Sequence, residues 1–66
     1  MQIFLNGVAH VCADRISLAA FLDSLGIAPT SCATAVNQVF VAREQRQQTV
    51  LEPNDQVMTF EPITGG

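Results

Sequence analysis

The sequence predicts an α+β fold in two layers, a mixed sheet of four to five strands with one helix on one face. Three observations predict it. Short runs at both ends of the chain, residues 1–5 and 56–61, alternate in the way half-buried strands do. A single stretch, residues 18–25, places Leu18, Phe21, Leu22 and Leu25 at i, i+3, i+4 and i+7, which is one helical stripe. Asn-Gly and Asn-Gln pairs separate further short apolar runs, where tight hairpins turn. Strands gathered round one helix leave it covering one face of the sheet and the other face bare.

In residues 1–5, Met1, Ile3 and Leu5 point one way, and Gln2 and Phe4 the other. The strand thus commits one face to the core and sets a lone aromatic, Phe4, on the opposite face. Asn6-Gly7 is the strongest short hairpin signal, because a type I′ turn needs positive φ at both central residues. Residues 8–12 return as the second strand. His10 is the single histidine, with no paired carboxylate motif or metal-ligand spacing around it. It reads as a half-exposed strand residue, since general-base work needs a positioned partner.

Ser17 is a good N-cap, and Ile16 and Phe21 are spaced for a hydrophobic staple. The helix runs from Leu18 to about Leu25. Gly26 stops it and Pro29 prevents its resumption. Its stripe is core, because the sheet has nothing else to pack on. Residues 27–32 are a Pro/Ser/Thr loop, residues 33–36 a short strand, Asn37-Gln38 a tight turn, and residues 39–41 the returning strand.

Residues 43–48 are all polar and carry no apolar period. They read as a short turn or a single helical turn on the surface. Arg43 and Arg46 would suit an anion or a carboxylate, but a solvated face is the reading adopted. Val50 and Leu51 bring the chain back to the core, and Pro53-Asn54-Asp55 turns it again. In residues 56–61, Val57 joins Ile3 and Leu5 inside. Met58 and Phe60 then share the outer face with Phe4, as an open apolar patch. The opposite facing, with Met58 and Phe60 inside, is the alternative. The first and last strands are expected to be central, neighbouring and parallel.

A chain of 66 residues makes one small domain, residues 1–61, and such a chain buries only ~60% of its unfolded surface. That leaves little material for a buried pocket with walls of its own. Net charge is −3, and the basic residues are Arg15, Arg43 and Arg46. With no basic patch, nucleic acid and anionic membranes are poor partners; a partner with a basic rim is more natural. There is no lysine, so no side-chain amine is available for self-acylation. The N-terminal residues lack the features of a signal peptide, and no apolar run approaches a membrane span, so a cytoplasmic protein is expected. Cys12 and Cys32 read as free thiols filling small apolar spaces.

Residues 62–66, Pro62-Ile63-Thr64-Gly65-Gly66, are expected to form a flexible tail. Pro62 cannot donate to a ladder and marks where the last strand lets go. From there the tail can span roughly 17 Å. Two residues without Cβ would let the Gly66 carboxylate enter a channel that any side chain would block.

Over essentially its whole length the chain resembles the ubiquitin-like β-grasp proteins, and within them the sulfur carriers of thiamine biosynthesis, the ThiS family. The resemblance rests on Met1-Gln2-Ile3-Phe4, Asn6-Gly7, Val36-Asn37-Gln38, Val39-Phe40-Val41-Ala42-Arg43-Glu44-Gln45, Asp55-Gln56-Val57 and the terminal Gly65-Gly66. The chain departs from the family at Arg46, where an aromatic is frequent, and at Asn54-Asp55, where Gly-Asp is frequent.

The resemblance implies a carrier rather than an enzyme, with no catalytic residue, no metal and no bound cofactor. ATP would be used by a partner adenylating enzyme to activate the Gly66 carboxylate. A sulfur donor protein would convert the adenylate to a thiocarboxylate, and thiazole synthase would receive the sulfur. Gly65, Thr64 and Ile63 would form the reaching tail, Phe4, Met58 and Phe60 the docking patch, and the free chain would be a monomer. A sister family, the small subunit of molybdopterin synthase, shares the fold and a Phe60-x-Pro62 ending, though its members usually run longer. A ubiquitin-like modifier and an interaction module with an inert tail are the remaining alternatives.

Overall fold

The computed structural model describes residues 1–61. The readings that fall on residues 62–66, among them the point of release at Pro62, lie outside the described residues. Five strands are present: β1 Gln2–Leu5, β2 Val8–Val11, β3 Ala33–Val36, β4 Val39–Val41 and β5 Gln56–Phe60. One helix, α1 Leu18–Ser24, and a 3₁₀ helix, Arg43–Gln48, complete the elements. The sheet order is β2-β1-β5-β3-β4. The first and last strands are neighbours and parallel, with Leu5 beside Val57, and every other pairing is antiparallel. This is the β-grasp arrangement, α+β with a mixed sheet and one helix across one face.

The two hairpins turn as the Asn pairs predict. Asn6 and Gly7 have φ of 50° and 85°, and Asn37 and Gln38 have 50° and 71°. All four are positive, as a type I′ turn demands. At its open end the first hairpin is tied by Met1, whose ammonium donates to the Cys12 carbonyl at 2.6 Å and lies 3.1 Å from Asp14.

The helix is set by its caps. The Ser17 hydroxyl accepts from the Ala20 N–H at 3.1 Å, satisfying one of the first-turn donors. At the other end Gly26 sits at φ 74°. Its N–H donates to the Asp23 carbonyl, and that of Ile27 to the Leu22 carbonyl. These two bonds form a Schellman motif, and Ile27 folds back against the core as such motifs favour.

Ile3, Leu18, Phe21, Leu22, Leu51 and Val57 form the core, each nearly or wholly shielded from solvent. Two expected core residues lie elsewhere. Leu25 is the helix C-cap and is exposed, because the chain reverses there and Ile27 takes the place beside the core. Val50 is exposed because its extended backbone, bridged to Ser17, alternates with the buried Leu51.

Arg46 requires a larger correction. It is not on a solvated face but only 3% exposed. Its guanidinium donates to the Pro29 carbonyl at 2.9 Å, the Cys32 carbonyl at 2.7 Å and the Thr34 hydroxyl at 3.0 Å. The Thr34 hydroxyl in turn donates to the Val41 carbonyl at 2.9 Å. A rigid fork of five N–H donors suits a loop whose carbonyls have no ladder to enter.

Candidate functional site

Among the described residues no helix or loop element lies over the face of the sheet opposite α1, and Phe40, Met58 and Phe60 are exposed on it. Strand alternation fixes which residues are on it. Ile3 and Val57 point to the helix, so Phe4 on β1, and Met58 and Phe60 on β5, point away. Antiparallel register extends the face: Ala35 lies opposite Met58, Phe40 opposite Ala35, Ala33 opposite Phe60, and Ala9 opposite Phe4. Met58 is 39% exposed, Phe60 46% and Phe40 67%, whereas Phe4 is half-buried. The alternative facing, with Met58 and Phe60 inside, is thereby excluded.

The structure therefore brings Phe4, Met58 and Phe60 to one face and adds Phe40 on the edge strand β4. Sequence reasoning did not single out Phe40. The signal was available in the alternation of Val39-Phe40-Val41: with Val41 packed against the core, Phe40 must face away. Small residues on β3, Ala33 and Ala35, separate the aromatic of β4 from the large side chains of β5. The face is rimmed by polar groups at Gln2 and Gln56, both exposed. Gly65, Thr64, Ile63 and Gly66, the proposed reaching tail, lie outside the described residues.

His10 and Cys12 are placed on the helix side of the sheet, whereas Cys32 lines a shallow pocket with Ala33 and Phe40 at the edge of this face. His10 is half-buried on the helix side, edge-on to Phe21 with ring centroids 6.1 Å apart at 82°. This is a packing contact of the geometry aromatic pairs prefer. Cys12 and Cys32 are free thiols, both half-buried, and Cys12 packs against the core. Among the described residues no three His, Cys, Asp or Glu side chains are grouped to hold a metal ion. No helix among them is long and apolar enough to cross a membrane. A groove between α1 and the 3₁₀ helix, lined in part by Ala19, Ala20, Ile27, Pro29 and Arg43, lies on the helix side.

Residues 3–66 match the model of the ThiS family. The chain belongs to the ThiS family. End to end it is 36% identical to the sulfur carrier protein ThiS of Escherichia coli strain K12, over 66 residues and the full length of both. The crystal structure of the thiamine biosynthesis protein ThiS from Geobacter metallireducens is similar across the whole of both chains, with a TM-score of 0.86 at 22% identity. A solution structure of a thiamine biosynthesis protein from the same organism covers all of this chain and 87% of that one, with a TM-score of 0.75 at 23% identity. The two structural likenesses bear on the fold, and the family match extends to Gly66.

Proposed function

We propose that this ThiS-family chain is a sulfur carrier of thiamine biosynthesis, a substrate handed between enzymes rather than an enzyme itself. The observation that carries this reading is the family match running to the last residue, Gly66. The end-to-end similarity to a named sulfur carrier supports it.

The Gly66 carboxylate attacks the α-phosphate of ATP on an adenylating partner, releasing pyrophosphate and leaving an acyl-adenylate. A carboxylate is a poor acceptor because its oxygen leaves badly; AMP is a good leaving group. The terminal sulfur of a persulfide on a donor protein then attacks the acyl carbon. The C–O bond to AMP breaks as the C–S bond forms, and a thiol of the donor side cleaves the resulting disulfide to leave a thiocarboxylate. Thiazole synthase takes the sulfur for the thiazole ring. The carrier supplies no group to these steps other than its own terminus, as group carriers generally do. Phe4, Met58 and Phe60, with Phe40 beside them, dock the folded body while residues 62–66 reach into the partner. This handover takes place in the cytoplasm between a monomeric carrier and soluble partners.

Intact mass after expression with the native pathway tests this reading. One sulfur gained in place of one oxygen, located in the C-terminal peptide, supports it. An isopeptide-linked ladder points to a modifier instead, and an unchanged mass under every condition overturns the carrier reading.

A further inference from the structure

The strand that leads to the tail is gripped at each end by the side chain of a turn asparagine. β1 and β5 run parallel, joined by the Phe4 N–H donating to the Asp55 carbonyl at 3.0 Å and the Asn6 N–H donating to the Val57 carbonyl at 2.9 Å. There β1 ends, because Asn6-Gly7 turns the chain away. β5 continues to Phe60, paired with β3 alone by its backbone. The next amide on the β1 side is that of Thr59. It donates to the Asn6 Oδ1 at 3.0 Å, and the Asn6 Nδ2 donates back to the Thr59 hydroxyl at 2.9 Å. A carboxamide offers the same donor and acceptor as a peptide group. The Asn6 side chain thus extends β1 by one rung after its backbone has left.

At the start of the same strand Asn37 makes the equivalent grip. Its Oδ1 accepts from the Gln56 N–H at 2.9 Å and its Nδ2 donates to the Asp55 carboxylate at 3.0 Å. Both asparagines open type I′ turns with φ of 50°. They differ in which end of β5 they hold.

We propose that Asn6 is a positioning residue for the C-terminal tail: it moves the last point held from both sides from Val57 to Thr59, two residues nearer Gly66. This rests on the sulfur-carrier reading. On the sulfur-carrier reading, the number of residues between the last anchored point and the carboxylate sets how far that carboxylate can range. A nearer anchor raises the fraction of docked complexes in which the carboxylate meets the nucleotide. Asn37, at the far end of β5, leaves this lever unchanged.

The experiment compares Asn6→Gly with Asn37→Gly in the full chain. Glycine accepts positive φ, so each turn is kept while its grip is lost. Amide hydrogen exchange is read at Thr59 and Gln56, and ATP–pyrophosphate exchange is measured with the cognate adenylating enzyme. Asn6→Gly is expected to speed exchange at Thr59 by at least ~10-fold, as local opening becomes easier. It is expected to lower kcat about fivefold while KM for the carrier stays within about twofold, because the docking face is untouched and only orientation is lost. Asn37→Gly speeds exchange at Gln56 and leaves kcat at the wild-type value. Asn6→Asp, which keeps an acceptor for the Thr59 N–H, recovers part of kcat. Wild-type kcat in Asn6→Gly, or an equal fall in Asn37→Gly, overturns the proposal. If the wild-type chain supports no pyrophosphate exchange, the carrier reading fails, and the Thr59 exchange rates still support or overturn the grip itself.

Discussion

Arg46 carries a full charge into a site where all its partners are neutral. Three of its donors meet the Pro29 carbonyl, the Cys32 carbonyl and the Thr34 hydroxyl. The side chain therefore closes a loop that has no ladder of its own. Arg46→Ala is expected to cost about 3 kcal/mol, since hydrogen bonds to a charged group are strong and their loss leaves shielded carbonyls unpaired. Arg46→Lys recovers only part of this, because one ammonium cannot span the fork. Thermal unfolding of the two variants checks both, and an unchanged midpoint in Arg46→Ala would show that the loop holds itself. The sequence could not reveal this residue. Its neighbours from Arg43 to Gln48 are polar without period, as a solvated turn is. The groups that accept from Arg46, two carbonyls and a hydroxyl, lie 12 to 17 positions earlier in the chain and converge only in the folded state.

The local elements were far more legible, because each is specified by adjacent residues. Asn6-Gly7, the Ser17 cap and Gly26 carry their geometry in their chemistry: φ > 0 where Cβ is absent, and a hydroxyl where an amide is orphaned. The ends of the elements were less so. Leu25 continues the apolar spacing of α1 but falls beyond the last helical turn, where the chain reverses. The two hairpins also differ in quality. Gln38 holds φ 71° with a side chain that disfavours it, whereas Gly7 occupies the matching position of the first turn without strain. Gln38→Gly is therefore expected to raise stability by about 0.5 kcal/mol, the relief of strain being partly offset by a freer unfolded chain. For a domain of this size that is a gain of about 3 °C in Tm. Gly26→Ala tests the opposite sign. Its Cβ would meet nothing within 4 Å, so only backbone strain acts, and a loss of about 1 kcal/mol is expected in the same measurement.

At the scale of the molecule, one face of the sheet packs against α1, and the other has no covering element among the described residues. The pairing of first and last strands was readable because Ile3, Leu5 and Val57 form a single apolar set. The extent of the open face was less so: alternation in Val39-Phe40-Val41 gives the facing of Phe40, but its place in line with Met58 comes from the register of β4 on β3 and β3 on β5. Substitutions on the two faces of β5 should therefore separate folding from docking. Val57 is 1% exposed, and Val57→Ala is expected to lower stability by about 2 kcal/mol through lost burial and the cavity left behind. Phe60 is 46% exposed and stands outside the core cluster of the described residues. Phe60→Ala should leave Tm nearly unchanged yet weaken binding to the adenylating enzyme by at least ~1 kcal/mol, as truncation of an aromatic anchor does. Deleting Gly66 completes the separation. Among the described residues the buried core lies within residues 3–57, so the truncated chain should unfold at the wild-type temperature and bind its partner through the same face. It should support no pyrophosphate exchange, because the carboxylate now ends one residue, ~3.4 Å, short of its target. Calorimetry, a binding titration and the exchange assay on this one variant read the three properties independently. Exchange at the wild-type rate would mean that activation does not require the terminal glycine, and the carrier mechanism would have to be abandoned.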